Sequence, residues 1–231
     1  MHIHGLQKLA MVDYPGKLAA TVFTGGCNLR CPFCHNALLV TRLAETPEIP
    51  EQEVLDFLAS RRGLLDGVVL TGGEPLLQPD AADFLRKVRE LGFAVKLDTN
   101  GCDPARLAEI LNQGLVDYVA MDVKNSPERY GETAGVYGLE LASVRDSVSY
   151  LLSGAVDYEF RTTVVREFHN RDSFRAIGPW LSGARRYFLQ SFADRDTVLQ
   201  PGLHPCSREE LEGFAALVRP YVDEVSLRGL E

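Results

Sequence analysis

The sequence of 231 residues lacks any apolar run approaching the roughly 20 residues that span a bilayer. No secretory leader is expected either, because Asp13, Pro15 and Gly16 interrupt any candidate apolar region near the N-terminus. These two absences predict a cytoplasmic protein with no membrane partner. Basic residues are in deficit: 24 Lys and Arg against 32 Asp and Glu give a net charge of -8. A surface built to neutralise phosphate backbones is not expected from that balance, so no nucleic-acid partner is predicted. No linker rich in Ser, Gly or Pro breaks the chain, and no internal repeat is present. Cysteine is too sparse and too clustered for a disulfide framework. There are five, and Cys27, Cys31 and Cys34 fall within one short segment. An odd, clustered set points to metal or redox chemistry.

What is present is an ordinary globular mixture, 45% hydrophobic and 24% charged, with enough apolar content for a sizeable core. At about 150 residues per domain this length allows one large domain or two small ones; we read residues 1–231 as a single domain. Short β-rich runs alternate with amphipathic stretches. The runs are Ala19–Phe23, Val68–Thr71, Ala94–Asp98, Tyr118–Val123, Tyr158–Val165 and Tyr187–Phe192. Several are nearly continuous in apolar residues, as in parallel strands covered on both faces. Helices are expected over Gln52–Ser60, Asp80–Leu91, Ala105–Asn112 (with Asp103 as cap), Leu139–Leu152 and Asp172–Leu181, and after the capping box of Ser207 and Glu210. Further strands are candidates at His2–Leu9 and Glu224–Leu227. Six strand–helix units imply an α/β fold with a parallel sheet, either an open doubly wound sheet or a partial barrel.

The polar signals sit at the C-terminal ends of the strand runs: Cys27, then Gly72-Gly73-Glu74-Pro75, then Asp98-Thr99-Asn100-Gly101, then Asp122-Val123-Lys124. In parallel α/β folds ligands bind at that edge. The cysteines are spaced C-x3-C-x2-C, and three thiolates from one loop can hold three corners of an iron–sulfur cubane, leaving one iron open. The competing reading is a zinc knuckle completed by His35, although structural zinc sites usually draw on two separated ligand pairs.

The pattern C-x3-C-x-aromatic-C after a first strand, with Phe33 at the aromatic position, resembles the radical S-adenosylmethionine (SAM) superfamily. The continuation His35-Asn36 and the lead-in Asp13-Tyr14-Pro15-Gly16 resemble its branch that activates glycyl radical enzymes, most of all the activating proteins of anaerobic ribonucleoside-triphosphate reductase. The resemblance runs from about His4 to Gly229. It implies a partial (β/α)6 TIM-like barrel. It implies a [4Fe-4S] cluster on Cys27, Cys31 and Cys34 whose open iron takes SAM. It also implies an electron donor such as flavodoxin or ferredoxin and a glycyl radical enzyme as protein substrate.

The remaining motifs acquire roles by the same resemblance. Gly72 and Gly73 allow close backbone approach, and Glu74 in this motif binds the SAM amino group. Asp98, Thr99 and Asn100 reach the SAM ribose or carboxylate region, the competing reading being an ordinary Asn-Gly turn. Asp98, Thr99 and Asp122 match a monovalent-cation site; equally, Asp122 could simply pair with Lys124 or another cation. Arg161 shares a strand face with Glu159 and Thr163 and could meet SAM or a substrate backbone, or form a surface ion pair. Ser191-Phe192-Ala193 stands where related proteins often carry a histidine, with His204 nearby in sequence. His2 and His4 read as surface or strand-edge residues, and Cys102 and Cys206 as ordinary thiols. Lys124–Gly138 reads as a long loop shaping the entrance for a partner's glycyl loop.

The activity so implied is abstraction of a backbone glycine hydrogen from a partner enzyme. The alternatives are a radical SAM enzyme acting on a small molecule such as a deazapurine precursor, and a non-catalytic iron–sulfur electron carrier. The cluster assignment makes a direct prediction. Replacing Cys27, Cys31 or Cys34 with Ala removes one corner and abolishes the cubane, whereas Cys102→Ala and Cys206→Ala leave it intact. Iron content and visible absorption after anaerobic reconstitution decide this, and a full cluster in Cys31→Ala refutes the assignment.

Overall fold

The computed structural model describes residues 1–195 and 197–230 of the chain. Its strands are β1 (Ile3–Ala10), β2 (Ala19–Thr24), β3 (Gly67–Gly72), β4 (Ala94–Thr99), β5 (Tyr118–Asp122), β6 (Asp157–Val164), β7 (Ala184–Ser191) and β8 (Val222–Arg228). Its α-helices are α1 (Ala37–Thr41), α2 (Glu51–Ala59), α3 (Ala81–Glu90), α4 (Pro104–Asn112), α5 (Tyr130–Ala134), α6 (Leu141–Leu152), α7 (Arg171–Trp180) and α8 (Arg208–Val218). The six expected strands form as β2 to β7, and the two additional candidates form as β1 and β8. The chain divides into two compact units. The first comprises Met1–Asn28, Leu38–Ala120 and Ala155–Asp157; the second comprises Leu29–Ala37, Met121–Gly154 and Tyr158–Glu231.

In the first unit β1 runs antiparallel to β2, and β2, β3 and β4 are parallel, with Thr24 opposite Gly72 and Val69 opposite Lys96. Val68, Val69 and Leu70 are wholly buried, as are Val95 and Leu97, which accounts for their unbroken apolar runs. Their cover comes from amphipathic helices that bury Val54 and Leu58 of α2, Phe84, Leu85 and Val88 of α3, and Leu107 and Ile110 of α4. Asp103 caps α4 by accepting from the Arg106 backbone N–H at 2.9 Å, ahead of Pro104 in the first turn. The Asp13-Tyr14-Pro15-Gly16 segment is packed into this core. Tyr14 clusters with Ala19, Val69 and Tyr118, and Asp13 accepts a hydrogen bond from Thr21 Oγ1 at 2.6 Å.

In the second unit β6, β7 and β8 are parallel, with Arg161 opposite Phe188, Thr163 opposite Gln190, and Gln190 opposite Arg228. The helical layer is built on a stack of Phe174 against Phe214, with centroids 4.6 Å apart. Capping boxes at Asn170 and Ser207 start α7 and α8. Pro179 does not stop α7, which continues to Trp180, although its missing N–H removes one bond of the ladder.

Hydrogen-bonded neighbours in the sheet are neighbours in sequence throughout. A doubly wound sheet requires the strand order to reverse at a switch point; no reversal occurs here. The fold is therefore α/β with a mainly parallel sheet wound in one direction, the arrangement expected of a partial barrel. Among the described residues no helix is long and apolar enough to cross a membrane.

Candidate active site

The first unit gathers three strand-end turns. Gly72 has φ of +119°, and a Cβ on it would lie 2.3 Å from the Thr24 backbone nitrogen; a Cβ on Gly73 would lie 1.9 Å from the Gly26 carbonyl oxygen. The two glycines thus seat their turn against the chain's own backbone, where Gly73 N–H donates to Thr24 O at 2.9 Å and Glu74 N–H to Gly26 O at 2.8 Å. The close approach that the glycines permit is first of all an approach to the strand leading into Cys27. Gly26 has φ of +87°, and a Cβ on it would meet nothing within 4 Å, so its outer side is open.

Glu74 is 2% exposed. Its carboxylate accepts from Leu76 N–H at 3.1 Å, from the Thr99 hydroxyl at 2.8 Å and from Asn100 N–H at 2.7 Å. One side chain thereby ties the end of β3 to the end of β4. Asn100 carries the linkage onward. Its amide donates to Asn28 Oδ1 at 2.8 Å and points toward Cys27 Sγ at 3.8 Å, while its oxygen accepts from Cys102 N–H at 2.9 Å. The Asn100-Gly101 turn is therefore tied both to the Glu74 turn and to the loop of Asn28. Lys96, buried on the same strand face as Asp98, donates its ammonium to the Asp98 carboxylate.

The second unit holds Cys31 and Cys34. Their loop is seated on α5. Arg30 N–H donates to Ala134 O at 2.9 Å, and Gly135, at φ of +68°, leaves room where a Cβ would come 2.0 Å from Arg30 O. Cys34 N–H closes a turn on Cys31 O at 3.0 Å. Phe33 is buried, with its ring 6.0 Å from that of Phe168. His35 stacks on Phe192 at 5.6 Å, and its Nε2–H donates to Ala193 O at 2.8 Å. The segment that departs from related sequences is thus the platform for His35. Burial raises the Cys34 thiol pKa.

The stretch Lys124–Gly138 is not the structureless loop expected. It contains α5 together with a 3-10 turn at Pro127–Arg129. Asn125 fixes it by donating to Thr133 Oγ1 at 2.8 Å and Phe168 O at 2.9 Å. Pro127 at its start and Gly135 at its end are the helix signals that composition alone obscured.

Asp122 receives both the Arg161 guanidinium and, at 2.8 Å, the Lys124 ammonium. Burial by itself would raise its carboxyl pKa; the two cations overcome this and hold it well below the usual carboxylate range. Burial likewise works against the Lys124 charge, and Asp122, with a contribution from Cys31, raises its pKa instead. The pairing of Asp122 with Lys124 is therefore present. Arg161 forms a part-buried pair with Asp122 and not a surface one. Among the residues that sequence reasoning did not single out is His169. Its Nε2–H donates to Lys124 O at 2.8 Å and its Nδ1 accepts from Val165 N–H at 3.1 Å. His204 lies in an exposed pair with Glu167. His2 is exposed beside Glu48, and His4 sits on β1 against Thr46 O.

Among the described residues no three His, Cys, Asp or Glu side chains are close enough together to hold a single metal ion. A cubane presents separate irons to its thiolates, so cluster ligands need not meet at one point. The donor chemistry suits such a group: an amide N–H directed at Cys27 Sγ would stabilise a thiolate there.

Two predictions follow from these contacts. In Glu74→Gln a buried N–H or O–H loses its acceptor, and stability drops by about 1–3 kcal/mol, read from denaturant unfolding. Burial lowers the His169 imidazole pKa to about 4 from its ordinary value near 6.5. The unfolded chain therefore binds the extra proton first as pH falls. Stability is constant above about pH 6.5 on this account, declines through the window down to about pH 4, and loses on the order of 3 kcal/mol. His169→Gln removes that part of the slope; an unchanged slope in the variant rules out His169 as its source.

Residues 21–166 match the Radical SAM superfamily. Over 98% of its length the chain is 32% identical to a protein of Methanocaldococcus jannaschii named "Putative glycyl-radical enzyme activating enzyme", and it spans 95% of that protein. It is 35% identical to a pyruvate formate-lyase-activating enzyme of Clostridium pasteurianum over 53% of this chain and 52% of that one. The crystal structure of Streptococcus suis SuiB bound to S-adenosylmethionine superposes with a TM-score of 0.70 at 15% identity, over 89% of this chain and 49% of that one; at that identity the likeness concerns the fold. The superfamily match implies a [4Fe-4S] cluster and SAM. Motif, fold and a relative matched along almost its whole length agree: the chain belongs to the radical SAM superfamily.

Proposed function

We propose that this protein activates a glycyl radical enzyme, by abstracting a hydrogen from a backbone glycine Cα of that partner. The observation that carries the reading is the match to the Methanocaldococcus jannaschii protein along 98% of this chain and 95% of that one. A superfamily enzyme of different substrate would be expected to match over the shared cofactor-binding part alone. The superfamily match at residues 21–166 draws on both compact units, which supports reading 1–231 as one radical SAM domain.

Cys27, Cys31 and Cys34 would hold the cluster, with Phe33 packing the loop. Bound there, the cluster supplies one electron and SAM the 5′-deoxyadenosyl group that takes the hydrogen. The chain's own part is binding, orientation and exclusion of water. The turn of Gly72, Gly73 and Glu74 meets the SAM amino group, its carboxylate already held in place by Thr99 and Asn100. Asp98, Thr99 and Asn100 address the ribose and carboxylate region. Lys124 and Arg161 bring positive charge around Asp122, suited to a carboxylate of the amino-acid portion. A monovalent cation at Asp98, Thr99 and Asp122 is the remaining expected ligand, and its proposed ligands already carry protein partners. Anaerobic ribonucleoside-triphosphate reductase is the proposed partner, on the motifs His35-Asn36 and Asp13-Tyr14-Pro15-Gly16, with flavodoxin or ferredoxin as reductant. Glycine suits the substrate role because no side chain blocks access to its Cα.

The test is isotope transfer. A peptide copied from the partner's glycyl loop and deuterated at the glycine Cα is expected to stimulate SAM cleavage by the reconstituted protein and to pass deuterium into 5′-deoxyadenosine. If no glycyl-radical partner donates deuterium while a purine-like small molecule donates hydrogen, the small-molecule reading replaces this one.

A further inference from the structure

Each of the three residues expected to bind a monovalent cation is already engaged. Lys96 is 2% exposed and donates its ammonium to Asp98 from two residues back along β4. A buried ammonium beside a carboxylate neutralises it, and an alkali ion at Asp98 would have to share that carboxylate with a fixed like charge. The Thr99 hydroxyl spends its one proton on Glu74 Oε1, at 2.8 Å, and one lone pair on Gly101 N–H, at 3.1 Å. A hydroxyl has one proton and two lone pairs, so at most one remains. Asp122 takes Arg161 at Oδ1 and Lys124 at Oδ2. One carboxylate between two cations leaves a formal surplus of one positive charge among these three groups, which repels a metal cation.

We infer that this chain supplies its own cations where a monovalent metal ion was expected: Lys96 neutralises Asp98, and Lys124 with Arg161 leaves a surplus of positive charge at Asp122. SAM binding then needs no alkali ion. The SAM readout rests on the radical SAM reading; the ion-binding half does not depend on it.

The experiment has two arms on the anaerobically reconstituted protein. The first measures SAM affinity at constant ionic strength with tetramethylammonium as the sole monovalent cation, then with potassium or sodium. The expected change in Kd is less than twofold; a tenfold tightening by potassium or sodium overturns the inference. The second records thallium-205 resonance spectra with thallium(I) standing in for potassium, with and without SAM. No bound thallium signal that disappears in Asp98→Asn or Asp122→Asn is expected; such a signal in the unsubstituted protein overturns the inference whether or not SAM binds. Lys96→Met uncovers Asp98 and is expected to gain potassium dependence of at least threefold in SAM Kd. If that variant folds, by circular dichroism, and gains none, the role given to Lys96 is wrong. Absence of SAM binding in every salt counts against the proposed function instead, and the thallium arm still decides the ion question.

Discussion

A carboxylate removed from water is tolerated only when donors replace the lost hydration, and the first unit is arranged around one such group. Glu74 takes its donors from its own turn, from the Thr99 hydroxyl and from the Asn100 backbone. Meeting that requirement fixes the ends of β3 and β4 against each other. The consequence reaches further, because Asn100 in turn holds Asn28 and directs its amide at Cys27. The turn bearing Glu74 can be this close only because Gly72 and Gly73 present no Cβ to the backbone at Thr24 and Gly26. Glycine, carboxylate and amide thus form one chain of dependence from the sheet edge to a cysteine.

The second unit solves a similar problem with opposite charge. Asp122 is kept ionised by two cations, and the backbone following it is held by His169, whose neutral imidazole donates to the Lys124 carbonyl. The neutral form is required there, since one ring nitrogen donates and the other accepts. The cysteine loop depends on α5 in the same backbone-on-backbone manner seen at Gly73: Gly135 has no Cβ, and Arg30 lies where one would be. Both halves of the C-x3-C-x2-C segment are therefore positioned by glycines distant in sequence. A larger residue at either position would be felt at a cysteine before it was felt at the surface.

The strands β1 to β8 and most of the amphipathic helices follow from patterns that are local. Apolar runs, a 3.6-residue stripe, and the caps at Asp103 and Ser207 each need only a few consecutive residues to act. The cysteine spacing and the strand-end placement of Glu74, Asp98 and Asp122 are also local, so which polar residues reach the sheet edge was readable from the chain alone. Tyr14 illustrates the limit. Its motif was visible as a family feature, but its burial with Val69 and Tyr118 depends on residues 55 and 104 positions away.

By itself, then, the sequence determined most of the elements, the parallel character of the main strands and a set of candidate site residues, because hydrophobic periodicity and turn chemistry act over short spans of chain; the strand order that separates a partial barrel from a doubly wound sheet was not among them. Tertiary structure alone decided the partners. Alternation puts Lys96 and Asp98 on one face but does not say that Lys96 will be buried, and nothing near Asp122 says that Arg161 will come from β6 to face it. It alone turned Lys124–Gly138 from an expected loop into a seat for the cysteines, and gave His169 a role. The physical reason is that burial and charge pairing are properties of neighbourhoods in space, and a neighbourhood that joins distant residues leaves no periodic trace in either segment that enters it.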